Sequence, residues 1–332
     1  MAIGSHIIPR FYLEQFATPS KRRNAPGRVW VYQKDHESDE RATTVQGFER
    51  GYFGFVRPDG TLDESLETRL AKVEGDCQDT LVSARSALFD LRSASRRNTL
   101  ALYAAMLFCR ATQRRKHNEK NWTKVRTQFD ALLNDNAFIA ELCRDFTNKH
   151  RAELTPERLT KVLTKVCEGL NLPSATRNSF VEELFDSAEP IKELLLKKPW
   201  QIWRAPDGVE FVTSDNPLVT FMPYENGLLN PGHGFRKDGV VAAFPLAPNA
   251  CLAMGVPGSE SVVLDTEAVT RVNEVVVQLC DRFVYSKTFS EDIHNLVDEL
   301  GGNKKYGESA FVPLGIVVPT VKDFLRQYLG LD

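Results

Sequence analysis

The sequence lacks closely spaced cysteine pairs. Its six cysteines form no CxxC pair, and no cysteines and histidines lie at a spacing typical of zinc sites. They are spread along the chain at Cys77, Cys109, Cys143, Cys167, Cys251 and Cys280. We therefore expect thiols scattered through a hydrophobic core, in a reduced protein of the cytoplasm.

Long hydrophobic runs are also lacking. No window approaches ~18 uninterrupted apolar residues, which is the length that a membrane-spanning helix needs. Residues 1–16, MAIGSHIIPRFYLEQF, contain no basic segment followed by an apolar stretch. The sequence thus predicts a soluble protein without a signal peptide and without a membrane partner.

An excess of either charge is absent as well. The chain has 42 Lys and Arg against 44 Asp and Glu, a net charge of -2, and 42% hydrophobic residues. A disordered chain would have lower hydrophobicity or a larger net charge. The balance also excludes a strongly basic nucleic-acid scaffold, so any attraction for an anionic partner must come from a local cluster.

Several common catalytic motifs are missing. The sequence has no GxSxG, no HExxH, no Walker loop and no GxGxxG after a predicted strand. These absences disfavour serine hydrolase, zincin, P-loop and dinucleotide-binding chemistry. The remaining clues to function are polar residues set within apolar segments.

Strand-forming sequence occurs at both ends of the chain, and helix-forming sequence occupies the middle. Arg28–Tyr32 and residues 51–56 are predicted strands, and one helix of the middle part is predicted over residues 96–118. Later, residues 200–203 and 209–213 flank a Pro-Asp-Gly turn, which predicts a β-hairpin.

These elements predict an α+β fold. A mixed or antiparallel sheet would be formed from both chain ends, with a large central helical block on one side. We assign residues 1–332 to a single α+β domain, with residues 62–198 as the helical block and residues 199–332 as the mainly β part that completes the sheet. Two domains are the alternative. Because an isolated strand pair is marginal in water, the early strands should pair with later ones.

The first candidate site is the segment from His6 to Phe16, which places a histidine and an arginine at a helix start. A helix N-terminus with His6 and Arg10 nearby favours a carboxylate or phosphate, and Tyr12 could contact the same ligand. The alternative is that His6 caps the helix or bonds to backbone while Arg10 forms a surface ion pair.

The second candidate is Thr213-Ser214-Asp215-Asn216-Pro217, directly after an apolar strand. Loops at strand ends often present catalytic groups, so Asp215 could be a general base or metal ligand, with Ser214 and Asn216 binding substrate. The alternative is a tight turn in which the Asp and Asn side chains bond their own backbone.

The third candidate is Arg110, the only charge in the apolar helical segment 99–111. A buried guanidinium needs a partner, so we expect a carboxylate or an anionic ligand beside it. Arg114 follows one turn later and would add a second guanidinium. A structural Arg–carboxylate pair is the alternative.

Glu67 and Glu74 are seven residues apart in a predicted helix and therefore share a face. Either could be the partner of Arg110. With His6 and Asp215 they could instead form a divalent-metal site, because hard cations prefer carboxylates. Most glutamates at the edge of an apolar stripe are simply solvated.

Taken together, these residues resemble an uncharacterised, mainly microbial family catalogued as domain of unknown function 4238. The resemblance spans roughly residues 5 to 290 and adds no known reaction. It implies that the separate polar groups belong to one pattern, which favours a shared pocket. One departure from the family pattern is Gly54-Phe55, which follows the aromatic pair Tyr52-Phe53. The residues that carry the resemblance are His6-x-x-Pro9-Arg10-Phe11-Tyr12-Leu13 with Phe16, Val29-Trp30-Val31-Tyr32, Tyr52-Phe53, Leu66-Glu67 with Glu74, Arg110, Phe211-x-Thr213-Ser214-Asp215-Asn216-Pro217, Pro245-Leu246 and Asn273.

We therefore expect an enzyme that acts on a phosphate-containing substrate, such as a nucleotide or nucleic acid, in the manner of a nuclease or transferase. Arg110 would orient the substrate, and His6 or Asp215 would move the proton. The sequence identifies no cofactor, although a divalent metal is compatible with it. The competing expectation is a noncatalytic ligand- or protein-binding module whose buried polar network is structural.

Overall fold

The structure, a computed structural model, describes residues 4–22, 25–86, 89–170, 173–224, 227–258, 260–306 and 321–331. Within these residues the α-helices are Arg10–Leu13 (α1), Ser65–Ala84 (α2), Ala94–Arg110 (α3), Thr112–Leu133 (α4), Asn136–His150 (α5), Pro156–Leu170 (α6), Pro173–Lys197 (α7), Thr266–Leu279 (α8), Glu291–Leu300 (α9) and Val321–Tyr328 (α10). The strands are Gly4–His6 (β1), Arg28–Tyr32 (β2), Asp39–Ala42 (β3), Phe48–Arg50 (β4), Phe55–Val56 (β5), Leu62–Asp63 (β6), Trp200–Arg204 (β7), Thr213–Ser214 (β8), Val219–Pro223 (β9), Leu229–Pro231 (β10), Val241–Ala247 (β11), Ala250–Met254 (β12), Ser261–Val263 (β13) and Val284–Ser286 (β14).

The chain has the predicted α+β fold, with mixed and antiparallel sheets. It divides into two compact units. The first comprises Met1–Arg115 and Glu182–Pro313, and the second comprises Lys116–Val181 and Leu314–Asp332.

A six-stranded sheet, in the order β10-β9-β11-β12-β7-β13, lies in the first unit. Its strands pair antiparallel, except that β13 runs parallel to β7. Every residue of β11 and β12 is buried, so neither strand alternates between apolar and polar residues. A sheet centre covered on both faces selects such uninterrupted apolar sequence.

A four-stranded sheet, in the order β3-β2-β14-β8, joins the two ends of the chain. The N-terminal strand β2 pairs with β14, which in turn pairs with β8. This confirms the prediction for Arg28–Tyr32, whereas β5, which lies in the other predicted early strand, pairs only with the neighbouring β6. Two short ribbons, β1–β4 and β5–β6, are separate from this sheet.

The predicted β-hairpin of residues 200–203 and 209–213 is wrong. β7 pairs with β12 and β13, whereas β8 belongs to the other sheet. The backbone N–H of Phe211 instead donates to the carbonyl oxygen of Pro248 at 2.7 Å. The Pro-Asp-Gly turn is present, but long-range pairing decides which strands it connects.

Two other predicted boundaries are also wrong. Residues 96–118 do not form one helix, because Ala111 is extended (φ -61°, ψ 149°) between α3 and α4. Residues 51–56 do not form one strand, because Gly51 has a φ of 63° and residues 51–53 make a turn. A positive φ is favourable for glycine and breaks the strand there. The buried side chains of Tyr52 and Phe53 thus belong to a turn.

The second unit has its own hydrophobic core, built from α5, α6, α10 and residues 116–133 of α4. Val321 and Leu325 of α10 are buried in the same cluster. The other members of the cluster are Phe129, Leu132, Phe138, Ile139, Leu142, Cys143, Leu159, Leu163 and Cys167.

The six cysteines are all buried and free, as predicted for scattered core thiols. Of the helices in the described part of the chain, none combines the length and the apolar character needed to cross a membrane.

Candidate functional site

An open cavity of about 520 Å³ lies in the first unit, at the N-terminal segment. Its wall contains an imidazole, a guanidinium and two carboxylates beside an aromatic ring. The lining residues are His6, Arg10, Phe11, Glu14, Ala25 and Glu74.

Helix α1 and the 3-10 turn Glu14–Phe16 that follows it position three of these side chains, Arg10, Phe11 and Glu14. Pro9 is extended (φ -55°, ψ 132°), so the helix begins at Arg10 and places Tyr12 and Leu13 in the core. Arg10 and Glu14 lie one turn apart on the exposed side, and Arg10 Nε donates to Glu14 Oε1 at 3.3 Å. The helix therefore presents a charged pair to the cavity while its other face anchors it.

Tyr12 supplies that anchor and does not line the cavity. Its hydroxyl donates to the Pro245 carbonyl oxygen at 2.7 Å and lies 2.8 Å from Thr213 Oγ1. The ring stacks on Phe244 with 5.4 Å between centroids. Tyr12 is fully buried, and burial raises its pKa well above the usual value. This geometry joins the first motif to the second through a structural contact.

Arg110 lies beside the cavity, held by the protein itself. It is 3% exposed, and its Nη1 donates to Glu74 Oε1 at 2.6 Å. Its Nη2 donates to the backbone oxygen of His6, and its guanidinium lies 5.0 Å from the centre of the Phe53 ring. The expected carboxylate partner is thus Glu74. Arg110 ties α3, α2 and β1 together at the cavity.

Glu67 lies elsewhere on α2. Seven residues separate it from Glu74, which corresponds to about 10 Å along a helix axis. It is half-buried and does not line the cavity that contains Glu74.

His6 is the cavity residue best suited to accept a proton. Its Nδ1 is buried, and its ring interacts with the backbone of Gln46. Burial lowers the pKa of His6 below its usual value of 6.5, and the nearby charge of Arg110 lowers it further. The backbone of Gln46 and the carboxylate of Glu74 oppose this shift. The imidazole is therefore largely neutral at pH 7 and can act as a base.

Glu14 is a cavity residue that the sequence analysis missed. Its carboxylate accepts from Thr43 Oγ1 at 2.6 Å and from the backbone N–H of Gly27 at 3.2 Å, in addition to Arg10. A Cβ at position 27 would lie 2.5 Å from Glu14 Oε2 and 2.7 Å from Ala17 Cβ. Glycine is therefore required at position 27 for this close approach. The i,i+4 spacing of Arg10 and Glu14 was the available sequence signal.

Asp215 lies outside the cavity and binds backbone. Its carboxylate accepts from the N–H groups of Asp281, Arg282 and Phe283 at 2.7, 2.7 and 2.9 Å. It is 6% exposed. Burial raises its pKa to about 6, and the three N–H donors oppose that shift. This arrangement holds the turn between α8 and β14.

The neighbours of Asp215 serve the same turn. Ser214 Oγ donates to the Asn216 carbonyl oxygen at 3.0 Å and accepts from the Asn216 N–H at 3.2 Å. Asn216 Nδ2 donates to the Leu279 carbonyl oxygen at 3.1 Å. Gln113 Nε2 donates to the same carbonyl at 2.7 Å. The last carbonyl of α8 is thus satisfied by side chains, which is a helix-end requirement.

Asn273 fixes the chain just before this motif. Its Oδ1 accepts from the Val212 N–H at 3.0 Å, and its Nδ2 donates to the Glu210 carbonyl oxygen at 2.9 Å. One amide side chain of α8 therefore holds the irregular segment in place, because it satisfies one backbone N–H and one backbone carbonyl of that segment.

Arg114 points to a different region from Arg110. Its Nη2 lies 3.1 Å from Ser187 Oγ and 3.6 Å from Glu183 Oε2, both on α7. It is 7% exposed and does not line the cavity. The two guanidinium groups therefore do not form one clamp.

The structure thus brings His6, Arg10, Glu74 and Arg110 together around one cavity. Seven of the ten predicted site residues do not line it: Arg110, which contacts the lining residues His6 and Glu74, and Tyr12, Glu67, Arg114, Ser214, Asp215 and Asn216. Across the described part of the chain, no group of three or more His, Cys, Asp or Glu could hold a metal ion. The cavity contains both signs of charge. It therefore suits an anionic ligand that takes the place of Glu14 as the partner of Arg10.

Comparisons with known proteins give a family and no further relatives. A model of the family described as "Protein of unknown function (DUF4238)" matches residues 5–290. No curated protein and no solved structure matches the chain.

Proposed function

We propose a function for this chain, which belongs to the DUF4238 family, from the chemistry of its His6 cavity: an enzyme acting on a phosphate-containing substrate. Nucleotides and nucleic acids are the substrate class, and the reaction is nuclease- or transferase-like. The observation that carries the proposal is the placement of the His6 imidazole in the wall of the same cavity as the half-exposed guanidinium of Arg10. We place the protein in the cytoplasm, in agreement with its free cysteines.

In this proposal His6 moves the proton. A neutral imidazole accepts the proton of the attacking hydroxyl, which belongs to water in a nuclease and to an acceptor in a transferase. The lowered pKa of His6 keeps it neutral at pH 7. Arg110 pairs with Glu74 and donates to the carbonyl oxygen of His6. Because this bond holds the backbone of His6, Arg110 is a positioning residue for the imidazole.

Arg10 provides the anion contact. Its side chain is 48% exposed, and its ion pair with Glu14 is 3.3 Å long. An exposed ion pair of this kind contributes little stability, so a phosphate can replace Glu14 as the partner of Arg10 at small cost. A guanidinium matches two phosphate oxygens at once, which also orients the substrate.

Binding of inorganic phosphate, measured by calorimetry, tests the role of Arg10. We expect Arg10→Gln to weaken binding roughly 10- to 100-fold, the effect of losing a charge-assisted hydrogen bond. Arg57→Gln is the matched control, because Arg57 is 52% exposed and pairs with Asp63 away from the cavity. Equal phosphate binding by both variants would contradict the proposal.

Hydrolysis of bis(p-nitrophenyl) phosphate tests the role of His6. We expect His6→Gln to remove any such activity and His36→Gln to retain it, because His36 is exposed and its Nδ1 lies 2.8 Å from the Lys34 carbonyl oxygen. A wild-type rate in His6→Gln would exclude the proton transfer proposed for His6.

A second candidate function is a noncatalytic binding module with a structural polar network. It is favoured by the buried Arg110–Glu74 pair and by the backbone bonds of Asp215. Breaking a buried pair on one side costs ~3–5 kcal/mol. If Arg110→Met lowers stability by this amount while phosphate hydrolysis by the folded fraction is unchanged, the network is structural and the binding module is the better description.

A further inference from the structure

A two-stranded ribbon beside the cavity carries an exposed aromatic ring. In the β1–β4 pair, Phe48 lies directly opposite His6. Their rings are 5.4 Å apart at an interplanar angle of 66°. Phe48 is nevertheless 46% exposed, and Val45, just before the ribbon, is 64% exposed. An apolar surface therefore continues from the imidazole at the cavity wall toward solvent.

Basic side chains accompany this surface. Residues two apart on a strand share a face, so Arg50 projects on the same side of β4 as Phe48. Arg50 is exposed, and Arg10 lines the same cavity as His6. The aromatic ring of Phe48 and the guanidinium groups of Arg50 and Arg10 suit a ligand that combines a flat ring with anionic groups.

We infer that Phe48 stacks against the base of a nucleotide whose phosphate lies in the His6 cavity. The inference rests on the proposed function and narrows its substrate to a nucleobase joined to a phosphate. His6 links the two subsites, because its ring contacts Phe48 and lines the cavity. Stacking on a phenylalanine is tolerant of sequence, since every base has a π-face.

The choice of a nucleotide over another partner follows from the size and charge of the surface. Phe48 presents one partly exposed aromatic ring, which matches one base. A protein partner would need a much larger continuous apolar area. A lipid surface would need more basic and apolar side chains beside Phe48 than the ribbon supplies.

Calorimetry with adenosine 5′-monophosphate and inorganic phosphate tests the inference. We expect the wild type to bind the nucleotide more tightly than phosphate. Phe48→Ala should weaken nucleotide binding roughly 5- to 100-fold and leave phosphate binding unchanged. Phe48→Trp should preserve it. Phe289→Ala is the matched control, because Phe289 is 47% exposed and contacts Trp30 and Tyr32 away from the cavity.

The outcomes separate the inference from the proposed function. Two results would refute only the inference. One is a wild type that binds phosphate but binds the nucleotide no more tightly; the other is nucleotide binding by Phe48→Ala that equals that of the wild type. If the wild type binds neither probe, the proposed function fails and the inference with it. An oligothymidylate of ten residues distinguishes the two sources of the base. If it binds more tightly than the mononucleotide and Phe48→Ala loses this difference, the site binds single-stranded nucleic acid. If its affinity is no higher than that of the mononucleotide, the site binds a free nucleotide.

Discussion

Replacing Asp215 with alanine should destabilise the first unit without abolishing ligand binding at the His6 cavity. The carboxylate accepts three backbone N–H bonds of 2.7–2.9 Å from Asp281, Arg282 and Phe283. Each bond to a charged acceptor contributes ~1.5–3 kcal/mol. Removing the carboxylate also relieves the cost of burying a charge. We therefore expect a net loss of about 3 kcal/mol.

Urea unfolding followed by tryptophan fluorescence measures this loss. Three of the four tryptophans, Trp30, Trp200 and Trp203, lie in the first unit, so the signal reports mainly on it. Asp207→Ala is the control, because Asp207 is exposed in a turn, and it should change stability by less than about 0.5 kcal/mol. The structural role of Asp215 would be refuted if Asp215→Ala left the unfolding midpoint unchanged but abolished phosphate hydrolysis.

Three further predictions concern the N-terminal segment. Tyr12→Phe removes a hydroxyl that makes two buried hydrogen bonds and should lower the unfolding free energy by ~1–2 kcal/mol in urea titrations. Gly27→Ala places a methyl group 2.5 Å from Glu14 Oε2 and should cost ~1–3 kcal/mol; an unchanged melting temperature would contradict the close packing. His6 has a folded-state pKa below 6.5, so its contribution to stability is complete above pH 6.5 and is lost as the pH falls through the folded-state pKa. The wild type should therefore lose stability faster than His6→Gln between about pH 7 and 5 in pH-dependent melting; parallel curves would exclude the shift.

The N-terminal part of the site was predictable because its residues are neighbours in sequence. His6 ends β1 and Arg10 begins α1 only four residues later, so both line one cavity. Arg110 was identifiable as a buried charge, since the apolar residues around it indicated burial before any coordinates. Its partner was restricted to two glutamates of one helix, and the choice of Glu74 required the position of α2 against α3.

The second motif shows where sequence reasoning could not choose between its alternatives. A loop such as Ser214-Asp215-Asn216 has the same residue types whether it binds substrate or satisfies backbone groups. The donors that Asp215 binds lie 66 to 68 residues further along the chain. No local pattern indicates such distant partners. The sequence therefore allowed a turn at this loop to be predicted but not the backbone groups that Asp215 binds.

The sequence by itself determined the α+β class, most of the helices and the burial of Arg110, because periodicity and apolar content act locally along the chain. Tertiary structure alone decided that β7 pairs with β12, that Asp215 binds the turn after α8, and that Phe48 lies against His6. Strand partners and buried polar contacts depend on residues distant in sequence. Their free energy is realised only when the core has brought those residues together.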